Sequence, residues 1–239
     1  MQQRRQQEKL RWIVGSEAPL VAVAGATGRT GRQIIAELLR RGYRVRALVR
    51  DQLKASARAQ EGVELVKADL ASPASLEHAL TGADYLISAI GSRKPFNTQE
   101  NNRVDNLGNQ NLAQAARSAG IRHMVMISSI GVGSSRRALN ILFRLLMGPV
   151  LRMKEKAEAF LSSCGISYTI IRPGGLSDKD ISGEIAFGEG GHITGMVSRA
   201  QVARACVDAL THPAMKNRTL EVVAAQTLKE KHRAYVITL

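Results

Sequence analysis

The stretch Val21–Arg40 constrains the fold more than any other part of this 239-residue chain. Val21, Val23 and Ala24 make a short apolar run suited to a buried strand, and Ile34, Ile35, Leu38 and Leu39 recur at helical spacing. Between them stand Gly25, Gly28 and Gly31, three residues apart. A strand–turn–helix unit of this kind lets the backbone approach a pyrophosphate closely. The free N–H groups of the helix N-terminus then point at its charge. The spacing differs from the commoner Gly-x-Gly-x-x-Gly fingerprint. The strand before, the helix after and a second strand ending near Arg50 give it weight as a dinucleotide site; the plainer alternative is a tight βα turn.

Strand and helix patterns alternate along the chain, which predicts a parallel sheet covered on both faces. The expected strands are 21–24, 44–49, 63–67, 83–89, 124–128, 167–171 and 219–223. Helices are expected over 30–41, from Pro73 (capped by Ser72) to Gly82, over 99–119, over 150–163 after a break at Gly148-Pro149, and over 198–210. The fold class is therefore α/β, a Rossmann-type doubly wound parallel sheet whose strand order reverses beside the first strand. Residues 19–239 read as one domain with a small C-terminal, substrate-facing part. Residues 1–18 read as a flexible basic arm.

Hydrophobic residues make up 44% of the chain, enough for a sizeable core. No apolar run approaches the roughly 20 residues a membrane-spanning helix needs, and residues 1–11 lack a signal-peptide core. This favours the cytoplasm, with an organelle stroma or matrix as the alternative. Cys164 and Cys206 stand in unrelated settings without metal-ligand spacing, so no metal site is expected. The net charge is +14, but basic residues are scattered and aromatics are few, which argues against nucleic acid. Residues 134–147 mix Arg136, Arg137 and Arg144 with Leu139, Ile141, Leu142 and Phe143. That segment suits packing on the sheet or a neighbouring subunit, or contact with a protein partner or membrane surface.

Four segments together resemble the atypical short-chain dehydrogenases/reductases, most of all the NmrA-like and plant or cyanobacterial NAD(P)-binding proteins. They are Gly25-Ala-Thr-Gly-x-x-Gly31, Ala68-Asp-Leu70, Met126-Ile-Ser-Ser129, and the pair Lys154–Glu158 and Thr169–Gly174. The resemblance spans about residues 19–223. It implies that Gly25, Thr27, Gly28, Arg29, Thr30 and Gly31 wrap the cofactor phosphates and ribose. Asp69 and Leu70 then meet the adenine, and Ala89, Ile90 and Gly91 lie along the cofactor. Ser128, Lys154, Pro173 and Gly174 complete the cofactor set. Arg50 at the tip of the second strand, with Arg29, suits a 2′-phosphate, so NADP is expected over NAD.

The family's catalytic motif is Tyr-x-x-x-Lys. Lys154 takes the lysine position, but Val150 stands where the tyrosine belongs. Ser129 matches the catalytic serine. The expected catalytic residues are therefore Ser129 and Lys154, without a phenolic acid. Hydride transfer needs a positioned nicotinamide and an acceptor. The expected function is an NADPH-dependent reductase of a small-molecule acceptor: a quinone, flavin, tetrapyrrole or carbonyl compound. The alternative is an NADP-binding redox sensor, assembly factor or scaffold with reduced catalysis. A monomer or dimer is expected.

Overall fold

The computed structural model describes residues 18–56, 60–92, 94, 96–138 and 141–239, with only the backbone described at 138 and 141–145. The expected basic arm and most side chains of the 134–147 segment lie outside the described residues.

The chain opens with β1 (Leu20–Ala24), α1 (Arg29–Arg40), β2 (Arg44–Val49), the short α2 (Gln52–Ser56) and β3 (Val63–Lys67). Next come α3 (Pro73–Leu80), β4 (Tyr85–Ser88) and a composite helix, α4, which runs Thr98–Asn101, then a π-helical segment Asn102–Gly108, then Asn109–Ser118. β5 (His123–Ile127), α5 (Ile141–Ser163) and β6 (Tyr168–Pro173) follow. The last part holds β7 (Gly175–Ser177), β8 (Ile185–Gly188), β9 (Met196–Ser198), α6 (Arg199–Asp208) and β10 (Arg218–Ala224).

The main sheet has eight strands in the order β3-β2-β1-β4-β5-β6-β10-β8, all parallel except β8. The order reverses between β1 and β4, as the strand–helix alternation requires, which opens a crevice at the carboxyl ends of those two strands. On one face, Ile34 and Leu38 of α1 pack with Val202 and Cys206 of α6. On the other, Leu76 and Leu80 of α3, Leu112 of α4 and Leu161 of α5 cover the sheet. Every residue of β1 is buried, as the central strand of a two-sided sheet must be. The caps behave as read: the Ser72 hydroxyl accepts from the Ser75 N–H at 3.3 Å, with Pro73 in the first helical position.

Two elements differ from expectation. α5 runs unbroken through Gly148-Pro149. Proline removes one helical hydrogen bond, and the turns on either side hold the helix across the gap. The second is a two-stranded parallel sheet, β7 with β9, whose three-residue strands are too short to show an alternating pattern.

Candidate nucleotide site

The glycine turn is built by sterics. Gly25 has φ +80°, and a Cβ there would sit 2.5 Å from the Ala89 carbonyl oxygen. A Cβ on Gly31 would overlap the Gly25 carbonyl oxygen, and one on Gly28 would lie 3.1 Å from the same atom. The Gly28 N–H donates to that oxygen at 2.9 Å. The turn therefore folds tightly on itself and against the end of β4, leaving its outer backbone open. A groove of about 320 Å³ lies at this edge. Its walls are Gly25, Thr27 and Gly28 of the turn, Arg50 after β2, Asp69 and Leu70 after β3, and Ala89, Ile90 and Gly91 after β4. Nine of the sequence-derived cofactor residues thus meet in one crevice.

The others stand elsewhere. Arg29 is ion-paired with Asp178, which also holds Arg199 at 2.7 Å; Arg199 in turn donates to the Thr30 hydroxyl at 3.2 Å. Arg29 and Thr30 therefore tie the outer side of the turn to the segment after β7 and do not line the groove. Arg50 makes no hydrogen bond or ion pair among the described residues, so its guanidinium is free for a ligand. Asp69 accepts from the Ala71 N–H at 3.0 Å through one carboxylate oxygen. Gly174 donates its N–H to Val222 at 3.0 Å, and the Pro173 carbonyl accepts from Ile130 at 3.0 Å; both serve the sheet edge.

Lys154 stands outside the groove's lining but next to Gly91, one of its walls. Its ammonium forms an ion pair with Asp105 Oδ1 at 2.8 Å and would lie 3.9 Å from a Cβ on Gly91. Asp105 is buried, and its other oxygen accepts from the Ser92 N–H at 3.0 Å. One turn on in α4, Asn109 donates to the Asp105 carbonyl at 3.1 Å and accepts from the Ser88 hydroxyl at 2.6 Å. Sequence reading passed over Asp105 and Asn109. The signal was there: Asn101, Asp105 and Asn109 recur every fourth residue on the stripe that continues into Leu112 and Ala116, and all five are buried.

Val150 lies in a small apolar cluster with Val132 and Leu151. No phenol stands in for it. Tyr43, Tyr85 and Tyr168 sit at the amino ends of β2, β4 and β6, opposite the groove. Tyr235 stacks on His192 with ring centroids 4.5 Å apart. The Ser129 hydroxyl donates to the Ile130 carbonyl at 2.9 Å, whereas the buried Ser128 hydroxyl has no partner among the described residues. Glu158 is committed to structure: it takes two hydrogen bonds from Arg172, at 3.1 and 2.5 Å, in the interior. His123 also lies at the far edge, between the Ser167 and Thr169 hydroxyls, where burial pushes its pKa down to about 4.

A cradle that any Cβ would fill, a helix N-terminus behind it and an unpaired arginine at the ribose end fit a dinucleotide. Among the described residues no group of three or more His, Cys, Asp or Glu is placed to hold a metal, and no helix is long and apolar enough to cross a membrane.

Comparison with known proteins agrees with this geometry. The profile of an NAD(P)H-binding family matches residues 25–213. An uncharacterized chloroplastic protein of Arabidopsis thaliana is 37% identical, over 85% of this chain and 76% of that one. Several longer chloroplastic relatives are spanned over less than half their length. Sanguinarine reductase of Eschscholzia californica is 30% identical, over 84% of this chain and 88% of the enzyme. Among solved structures, an anaerobilin reductase from Escherichia coli O157:H7 superposes with a TM-score of 0.76 at 26% identity, covering 86% of this chain and 97% of that one.

Proposed function

Because the chain belongs to the NAD(P)H-binding family, in its atypical short-chain dehydrogenase/reductase, NmrA-like group, we propose that it is an NADPH-dependent reductase of a conjugated acceptor such as a quinone, flavin or tetrapyrrole. The observation that carries the reading is the Lys154–Asp105 pair beside Gly91, with Val150 one helical turn before the lysine. The bound nicotinamide supplies a hydride. The glycine turn and the start of α1 hold the pyrophosphate, and the free Arg50 grips the 2′-phosphate. Asp105 fixes Lys154 Nζ where it can bond the nicotinamide ribose hydroxyls. Val150, buried in an apolar cluster with Val132 and Leu151, stands at the sequence position where a phenol would otherwise donate a proton. A conjugated acceptor spreads the incoming charge and takes its proton from solvent, so it tolerates this arrangement; a simple ketone does not. Of the two serines, Ser129 spends its hydroxyl on the Ile130 carbonyl, while Ser128 keeps its own unbonded among the described residues. The two reductases among the similar proteins support the reading. The chloroplastic relatives favour an organelle stroma over the cytoplasm.

The test is NADPH oxidation against quinones, flavin mononucleotide, biliverdin and simple aliphatic ketones. Turnover is expected with at least one of the conjugated acceptors. Brisk reduction of the ketones, or none of any acceptor, overturns the proposal.

A further inference from the structure

A second cavity, about 510 Å³, lies beside the nucleotide groove and against the α1 side of the sheet. Its size falls in the range of small-molecule sites, and its make-up is that of such a site: an apolar body with a few placed polar groups. The floor is Ile35 of α1 with Ala47, Val49, Val63 and Leu65 of β2 and β3. Among the described residues, the crossover from β2 to β3 places one short helix, α2, beside the strands it connects. Ala55 is the one buried residue that α2 contributes.

The rim is cationic. Arg32, Arg50 and Lys54 line it, with Asp51 as the single acid among the described residues. Asp51 is already paired with Lys54 at 3.2 Å. Arg32 and Arg50 make no hydrogen bond or ion pair among the described residues. Two free guanidinium groups over an apolar floor fit an anionic head on an apolar tail. Thr27, Val49 and Arg50 line both this cavity and the nucleotide groove, so the two share a wall at the ribose end.

We propose that this cavity binds a small anionic amphiphile, with a carboxylate or phosphate head between Arg32 and Arg50 and an aliphatic or flat apolar body on the β2–β3 floor. Its head occupies the guanidinium that the 2′-phosphate uses in the proposed function, on which this last point rests. A ligand here therefore opposes NADPH and leaves NADH nearly untouched, so the pool of such amphiphiles sets how much reductant the protein holds.

The test uses decanoate below its micelle concentration, titrated calorimetrically into the cofactor-free chain, with decylamine as the charge-reversed control. Saturable binding of decanoate and not decylamine is expected, weakened tenfold or more in Arg32→Gln and in Ala55→Leu. Arg32 is exposed, and a melting scan checks that each variant is folded. Equal binding of the two amphiphiles, no saturable binding, or indifference to both substitutions overturns the site. Sedimentation with phosphatidylglycerol vesicles in the absence of decanoate binding also overturns it, since that assigns the rim to a lipid surface. Sharing is read separately, with decanoate held at saturation: NADPH affinity should fall at least fivefold and NADH affinity less than twofold. Direct NADPH titration without decanoate shows independently whether the cofactor reading itself fails.

Discussion

In the proposed function cofactor choice rests on Arg50, because Arg29 is engaged by Asp178 and cannot swing into the groove without breaking that pair. A charge-assisted contact is worth about 1.5–3 kcal/mol. Arg50→Ala should therefore weaken NADPH tenfold or more in a fluorescence titration while changing NADH by less than threefold. Arg29→Ala should leave both nearly unchanged. The Lys154–Asp105 pair has unequal partners: the lysine side chain is 16% exposed and the aspartate 1%. Lys154→Met strands a carboxylate in the interior, at a cost of about 3 kcal/mol. Asp105→Asn leaves an ammonium that can turn to water, at a cost of about 1 kcal/mol. Urea unfolding should rank them so, with the double variant more stable than Lys154→Met alone. His123 adds a pH dependence. Its folded pKa, about 4, lies below the unfolded value, so below pH 6.5 the unfolded chain binds the extra proton. Stability is full above about pH 6.5 and is lost as pH falls toward 4, by about 3 kcal/mol. Urea midpoints at pH 7 and pH 4.5 should differ less in His123→Gln than in the wild type.

At the level of elements, the glycine turn makes an ordered prediction. A methyl at Gly31 collides with backbone that cannot move, whereas one at Gly28 needs only a few tenths of an ångström. Gly31→Ala should abolish NADPH binding and lower the melting temperature by about 10 °C or more, the size expected for a few kcal/mol in a domain of this length. Gly28→Ala should keep the fold and weaken binding. If the two variants melt alike, the turn is not held as described. The same turn explains why so much was legible beforehand. Strand, glycines and helix declare themselves within twenty residues, and the α/β alternation repeats the message down the chain. The groove residues follow because they stand at strand ends, which sequence locates well. Arg29 was harder to place, because Asp178 lies far along the chain and nothing local marks their meeting. Asp105 was hidden by a π-helical segment inside a helix that otherwise reads as regular. Ser128 and Ser129 differ by one position, and only the fold assigns one hydroxyl to a backbone carbonyl and leaves the other free.

Over the whole molecule the sheet is closed at one side by an antiparallel edge. β8 pairs with β10, Ile237 bridges to Phe187, and Tyr235 stacks on His192 in the loop that follows β8. Stacking of this kind contributes about 0.5–1.5 kcal/mol. Tyr235→Ala should speed amide exchange over 185–195 and leave β1, β4 and β5 protected; uniform acceleration across the sheet would show that the edge is not a separate unit. The strand order also sets a timetable for synthesis. β8 leaves the ribosome before β10, yet β10 must slot between β6 and β8. Until it does, the nascent chain carries β6 with one open side and β8 with no partner at all, a hazard for aggregation. The C-terminal edge is therefore the last part to take shape, and a chain stalled short of β10 already displays the glycine turn and the groove beside it, a cradle laid down before the sheet that carries it is closed.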